Sequence, residues 1–467
     1  MAATAQSVQY TRTLAEFAQS FDLAKVPDDV IHEARRAILD AIGSAIAGIV
    51  TPAGQISVDL AREERGPLMA TVITAGPGSI APAVFANTVL MNAIDYDVYG
   101  PEGHVAPVAL PVAMAVADAV DASGEEMLAG FLAGMEVGGR VGGALRRPNM
   151  GGARSLGNVR GHGHCAFAAV AAAGRILQLT PDQMHHAFGI AGYGATVPTL
   201  RKFFASPHAP MTKYDHLGAM AQNGLQAALL AQRGFTGDLE VLEGEDIGFW
   251  RFAGGQGCDW DHLVNGLGTE WTMREVSYKP YPVGLYTGPG IESVRRMAAE
   301  NNLRPEEIEH IEVRTTRVGD TPERLELRHS LDAWLSTPYT ITAGLFDVRP
   351  RRAWQEPQNY QRQDLLDFMP KISFAKIREG ELTSTGNYWE RWSPVRITIT
   401  ARGQSFEGGQ DHLPMLDDDA LNAKYYENLT DLMTREDAEH LARHIWELPK
   451  AQKASQVTEL LTRVKRP

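Results

Sequence analysis

Met211-Thr-Lys-Tyr-Asp-His-Leu-Gly218 runs directly into Ala219-Met-Ala-Gln-Asn-Gly-Leu-Gln-Ala-Ala-Leu-Leu-Ala-Gln-Arg233 and stops at Gly234-Phe-Thr-Gly237. The middle stretch has the apolar content and spacing of a buried helix, and the glycine after it is the residue best suited to end one. Lys213 and His216 stand three residues apart, one helical turn, at the mouth of that helix. Two ionisable groups where a core helix begins point to a polar pocket. The alternative is the cationic end of a loop, with Arg201 and Lys202 just upstream.

Other helices of the same kind surround this one. Leu14, Phe17, Ala18 and Phe21 fall at helical spacing, and Pro27-Asp28-Asp29 opens a segment with Val30, Ala34, Ile38, Ala41 and Ala45 on one face. Ser123-Gly-Glu-Glu126 and Thr180-Pro-Asp-Gln183 have the pattern of capping boxes before apolar runs. Gly130, Gly134, Gly138 and Gly142 recur every fourth residue, a stripe that lets helices approach closely and is explained by packing alone. The spacing predicts a compact, all-helical body.

The pattern changes near residue 265. Ile308-Glu-His-Ile-Glu-Val313 and Val395-Arg-Ile-Thr-Ile-Thr400 alternate as strands, with helices at 289–301 and around 339–346 and a hairpin turn at Arg402-Gly403-Gln404. Helices return at 418–433 and 435–446. The expected fold class is therefore mainly α with a smaller α/β domain: residues 1–267 and 406–467 form the helical domain, residues 268–405 the smaller one, and a cleft between them is the ligand site.

With 467 residues the chain exceeds one ordinary core. Its 44% hydrophobic and 22% charged residues describe a globular protein, and its net charge of −13 argues against nucleic acid or an anionic membrane as partner. A local cluster of cations can still hold an anion. Cys165 and Cys258 are the only cysteines, too few for a disulfide framework, a structural zinc site or a cysteine-ligated iron–sulfur cluster. The opening Met-Ala-Ala-Thr-Ala-Gln-Ser lacks the basic and apolar regions of a leader, and no apolar run reaches about 18 residues. A soluble, cytoplasmic protein is expected.

Several polar groups stand where a cleft would form. Asp95-Tyr-Asp97-Val-Tyr99-Gly-Pro-Glu-Gly-His104 precedes an apolar helix at 105–120. An aspartate that orients an imidazole makes an acid/base pair, while turn and cap residues are the bland reading. Arg160-Gly-His162-Gly-His164-Cys165 offers metal-ligand types, yet histidines two apart on a glycine turn are awkward ligands, and backbone N–H groups at the following helix start would instead hold a carboxylate. His185-His186 falls mid-helix and reads as filler. Tyr278-Lys279-Pro-Tyr-Pro282 fixes a lysine between residues that restrict the backbone to extended geometry. Thr337-Pro-Tyr339 places a phenol at a helix start.

In their order along the chain these segments resemble one family. Leu14 to Ile46, Asn92-Ala-Ile-Asp-Tyr-Asp97 with His104 beyond it, Met211-Thr-Lys213 with His216 and Gly218, Ala227-Ala-Leu-Leu-Ala-Gln-Arg-Gly-Phe-Thr-Gly237, Lys279-Pro-Tyr-Pro282, and Pro338-Tyr339 before Leu345-Phe-Asp347 are similar to the 2-methylcitrate dehydratase (MmgE/PrpD) superfamily. That family also holds cis-aconitate decarboxylase and iminodisuccinate epimerase. The resemblance implies a large helical domain with a lid domain, a homodimer, no metal and no cofactor. It implies catalysis on a small carboxylate by bond breakage at the carbon beside a carboxylate, hydro-lyase chemistry first, with decarboxylation, epimerisation or a catalytically silent binding paralogue as alternatives.

Such a carbon is a poor acid until its carboxylate is neutralised, so cationic clamps and a base are required. By resemblance, His104 and His162 form the proton-transfer pair, Lys213 and Lys279 clamp carboxylates, Tyr339 donates a proton, and Asp95 orients the imidazole. His164, which competes with His162 for the family role, joins Arg201, His216, Tyr99 and Tyr286 as expected substrate contacts. The chain departs from the family pattern after Pro282, where Val283-Gly-Leu-Tyr-Thr-Gly288 replaces two cysteines, an arginine and a following histidine. The segment Ala205-Ser-Pro-His-Ala-Pro210 inserts before Lys213. Both departures point to a ligand with fewer charges or more apolar surface than 2-methylcitrate or cis-aconitate.

Overall fold

The computed structural model describes residues 9–64, 66–100, 102–146, 162–195, 206, 208–244, 247–253, 257–316, 325–378, 381, 394–411, 413 and 415–466. Helix Asp28–Gly48 begins with two aspartates, whose charges suit the positive end of the helix, and buries almost every residue from Ala34 onward. Helix Cys165–Ile176 lies at the centre and packs against Ala106–Val120, Gly124–Arg146 and Thr212–Gln232. Only Arg175 on it escapes burial.

The glycine stripe lets two of these helices meet closely. A Cβ at Gly134 would stand 2.8 Å from the Ala168 carbonyl oxygen, and one at Gly130 would stand 2.6 Å from Ile176. Both expected capping boxes are present: Ser123 with Glu126, and Thr180 with Gln183.

A four-stranded sheet lies in the second part of the chain. Its order is Ile372–Lys376, Ile308–Thr315, Val395–Ala401, Gln404–Gln410, with the first pair parallel and the others antiparallel. Strand Val395–Ala401 alternates buried and half-buried residues as its sequence predicts, and Arg402 and Gly403, both at positive φ, close the hairpin. Strand Ile372–Lys376 and the short ribbon Met69–Val72 with Gly76–Ser79 have no counterpart in the sequence reading. They are four or five residues long, and the last reads Gly-Pro-Gly-Ser, a poor strand former.

Apolar burial divides the chain into two cores. One gathers residues from Leu14 to Tyr278 and from Leu421 to Val464, and the other runs from Tyr281 to Ala401. The fold is mainly helical with a smaller α/β part. The two parts meet in a small cluster where Leu331, Trp334 and Leu335 pack on Val89, Ala209 and Tyr214. No single helix among the described residues is long and apolar enough to cross a membrane.

Candidate active site

Helix Ile80–Asn92 ends at a loop whose backbone is unusually well held. Asp95 has φ 52°, a left-handed conformation that aspartate tolerates better than most residues. Three successive carbonyls here each accept a hydrogen bond from a side chain far away in sequence. Gln355 donates to Ile94 at 2.7 Å, Lys279 to Asp95 at 2.9 Å, and Lys424 to Tyr96 at 2.7 Å. The Tyr96 hydroxyl returns a bond to the Pro280 carbonyl at 2.9 Å. Lys424 is itself paired with Asp40 at 2.6 Å, both buried, and burial pushes the Asp40 carboxyl up and the Lys424 ammonium down.

The pinned loop presents two carboxylates with different partners. Asp95 Oδ1 lies 3.1 Å from Lys279 Nζ, 3.3 Å from Lys213 Nζ and 3.4 Å from His104 Nε2. Burial alone would raise this carboxyl, but the charges of Lys213, Lys279 and His104 outweigh it and hold Asp95 well below the usual range. Asp97 accepts from His104 Nδ1 at 2.7 Å and from Asn92 at 2.9 Å, and it too is held low against the effect of burial. With Nδ1 against a carboxylate, Nε2 is the nitrogen that faces Asp95 and the lysines. The imidazole's orienting acid is thus Asp97, not the expected Asp95. The left-handed turn at Asp95 swings that side chain to the lysines and leaves its neighbour to take the ring.

The two lysines arrive from opposite directions. Lys213, in the first turn of helix Thr212–Gln232, also donates to Asn92 at 3.4 Å and sits over the rings of Trp334 and Tyr214, at 4.3 and 4.4 Å. Burial lowers its pKa, with Asp95 opposing. Lys279, on the extended segment between the two cores, is raised: burial works against its charge, but Asp95 and Asp97 prevail. Each ammonium has three donors. Two on Lys213 go to Asp95 and Asn92, and two on Lys279 go to the side chain and carbonyl of Asp95, so among the described residues each lysine has one N–H left.

A row of histidines continues the site. The His162 ring is 5.7 Å from that of His104, and His162 Nδ1 is 3.2 Å from His216 Nε2. Burial, helped by Lys213 and His104, pushes His216 down to about 4, so it is neutral near pH 7. Tyr99 meets the edge of His104 at 4.9 Å and lies beneath Lys279 at 5.5 Å. Asp95, Asp97 and His104 bring donor atoms close enough together for a metal. Two ammoniums within 3.3 Å of Asp95 oppose a further cation and favour an anion instead.

Two family models match the chain: the MmgE/PrpD N-terminal domain over residues 12–260 and the MmgE/PrpD C-terminal domain over residues 281–448. The chain belongs to the MmgE/PrpD family. Among curated proteins, a cis-aconitate decarboxylase of Aspergillus terreus is 27% identical over 396 residues, 79% of each chain. The cis-aconitate decarboxylase of Homo sapiens is 25% identical across 97% of this chain and 94% of its own, and that of Mus musculus is 24% identical across 63% and 60%. This MmgE/PrpD member is a lyase.

Of the residues expected in the site, Asp95, His104, His162, Lys213, His216, Lys279 and Tyr99 come together in this MmgE/PrpD chain. His164 lies at the edge, fully buried, with Nε2 at 3.0 Å from the Glu102 carbonyl. The structure does not bring the Tyr339 hydroxyl to the cluster. Tyr339 is packed in the smaller core, where its hydroxyl donates at 2.6 Å to the Trp354 carbonyl while its backbone N–H bonds the capping Ser336. Tyr286 folds back over Gly284. Arg201 lies outside the described residues. Asn92 opens one of the segments that carry the resemblance but was given no role, and Lys424 and Gln355 belong to no motif; each acts on loop backbone or on a neighbouring carboxylate.

Proposed function

We propose that this lyase acts on a small polycarboxylate and breaks a carbon–carbon bond to release CO₂. The observation that carries the reading is the pair of buried lysines converging on Asp95, each with one N–H to spare, beside an imidazole fixed by Asp97. Two carboxylates of one substrate would occupy the spare donors. The naming of the relatives as cis-aconitate decarboxylases puts decarboxylation ahead of dehydration as the reaction to test first.

The step needs three things. The departing CO₂ leaves an electron pair on carbon, which a neighbouring unsaturated carboxylate accepts as its own charge is offset by Lys213 and Lys279. Protonated His104 then delivers the Nε2 proton to carbon and regains one from solvent, so substrate plus one proton gives product plus CO₂. Asp97 keeps the ring oriented and stabilises its charged form. Exclusion of water by Trp334, Tyr214 and Tyr99 strengthens every one of these charges.

Dehydration is the second reading, favoured by His162 at 5.7 Å from His104. There one imidazole removes the carbon-bound proton and the other protonates the departing hydroxyl, so that water leaves. Incubating the protein in heavy water with a panel of di- and tricarboxylates that includes cis-aconitate and 2-methylcitrate, while trapping CO₂, separates the two. Decarboxylation gives CO₂ and one deuteron on carbon per turnover, whereas dehydration gives an alkene and no CO₂. Neither product and no carbon-bound exchange with any member would overturn both.

A further inference from the structure

We propose that His208, His329 and Asp332 form a binding site for a divalent transition metal with the coordination habits of zinc, at the seam between the two cores. The site is separate from the lysine and histidine cluster and uses residues that the proposed reaction does not. His208 comes from the inserted segment before Lys213. His329 and Asp332 stand three apart at the start of helix Ser330–Leu335, which places them on one face.

Two of the three donor separations are close to those of a zinc site. Asp332 Oδ2 is 3.0 Å from His208 Nδ1 and 3.5 Å from His329 Nδ1, and the three ligand atoms all lie within 4.8 Å of one another. A tetrahedral zinc with ligands at about 2.0–2.1 Å sets them about 3.3 Å apart, between the two measured separations. The carboxylate is already aimed: Asp332 is fully buried and accepts from the backbone N–H groups of Ala209 at 3.2 Å and Arg328 at 3.1 Å. Such outer bonds orient a ligand. The imidazole side chains are 29% and 43% exposed, which gives an entry path and a fourth position for water.

The position gives the ion a consequence. Trp334, two residues after Asp332, covers Lys213, while His208 leads into the helix that carries Lys213. A metal here ties the insert to the helix that roofs the lysine.

Chelator-treated, full-length protein titrated with zinc chloride in a calorimeter is expected to take up one zinc per chain at this site. His208→Ala and His329→Ala should each weaken that binding about tenfold or more, without changing far-UV circular dichroism. Zinc-edge X-ray absorption should show nitrogen and oxygen ligands at about 2.0–2.1 Å and no sulfur. The proposal is overturned by an absence of saturable binding, by binding that survives both substitutions, or by a site abolished by His104→Ala and untouched by His208→Ala.

Discussion

Replacing Lys424 by methionine tests whether the loop that carries Asp95 and Asp97 depends on a buried charge behind it. Lys424 is the direct partner of Asp40 and the group that does most to offset its charge, with Lys279 a more distant contributor, and both side chains of the pair are at most 4% exposed. Without it the Asp40 carboxylate is stranded, and removal of one partner from a buried pair costs about 3–5 kcal/mol. Protonation caps the charge term. At pH 7 the cap is about 1.36 × (7 − 3.9), or about 4 kcal/mol, and loss of the hydrogen bond to the Tyr96 carbonyl adds about 1 kcal/mol. At pH 5 the same arithmetic gives about 1.5 kcal/mol for the charge.

The sign follows from linkage. In the variant the folded-state pKa of Asp40 lies far above its unfolded value, so stability falls as pH rises from about 4 toward the folded pKa. Urea unfolding of Lys424→Met and of the wild type, followed by circular dichroism at pH 5 and pH 7, should show a difference that grows by up to about 2.7 kcal/mol between the two. Adding Asp40→Asn to the variant should abolish that growth. A cost below about 1 kcal/mol at pH 7, or one independent of pH, refutes the reasoning.

Five further substitutions probe the site and its frame. Asp97→Asn should keep the fold but cut kcat by about 10²–10⁴, because the imidazole loses the carboxylate that fixes its tautomer; undiminished turnover would restore Asp95 as the orienting acid. Lys213→Met and Lys279→Met should raise KM and lower kcat together, as expected of groups that bind the carboxylate and stabilise charge in the transition state; steady-state kinetics on any substrate found in the panel decides this. His216, pushed down to about 4 from an unfolded value of about 6.5, favours the neutral ring, so its contribution is whole above pH 6.5 and is lost as pH falls toward 4. His216→Gln should therefore lose up to about 3 kcal/mol less stability than the wild type between pH 7 and pH 4 in urea titrations. Gly134→Ala, whose new Cβ would meet the Ala168 carbonyl at 2.8 Å, should destabilise by about 1–3 kcal/mol in the same assay.

Helices with strong apolar period were legible because burial writes itself into sequence as spacing. Asp28–Gly48, Thr212–Gln232 and the alternating strand Val395–Ala401 all follow it. Strand Ile372–Lys376 was not, since a five-residue strand joins its neighbour through backbone bonds and leaves too short a pattern to detect. In the site, His104, Lys213 and Lys279 were found because each belongs to a motif that resembles a family. Lys424 and Gln355 lie far from any motif, and their targets are carbonyl oxygens, which every residue possesses. The exchange of roles between Asp95 and Asp97 rests on one left-handed backbone angle that no spacing rule contains. Tyr339 shows the converse: a motif position is legible, but where its hydroxyl goes depends on packing around Trp354.

Asp95 therefore solves a problem that the lysines create. Two ammoniums brought this close in a buried site would repel, and the more easily neutralised one would give up its proton. A carboxylate between them opposes that loss at both and uses only part of their donor capacity. In the proposed reaction, selectivity for a polycarboxylate would rest on the two spare N–H groups rather than on net positive charge, which is compatible with a chain of net charge −13. It also explains why the loop must be pinned at three consecutive carbonyls. A rotation at Asp95 large enough to move its carboxylate would release both lysines at once, whereas the bonds from Gln355, Lys279 and Lys424 fix the backbone that sets their spacing.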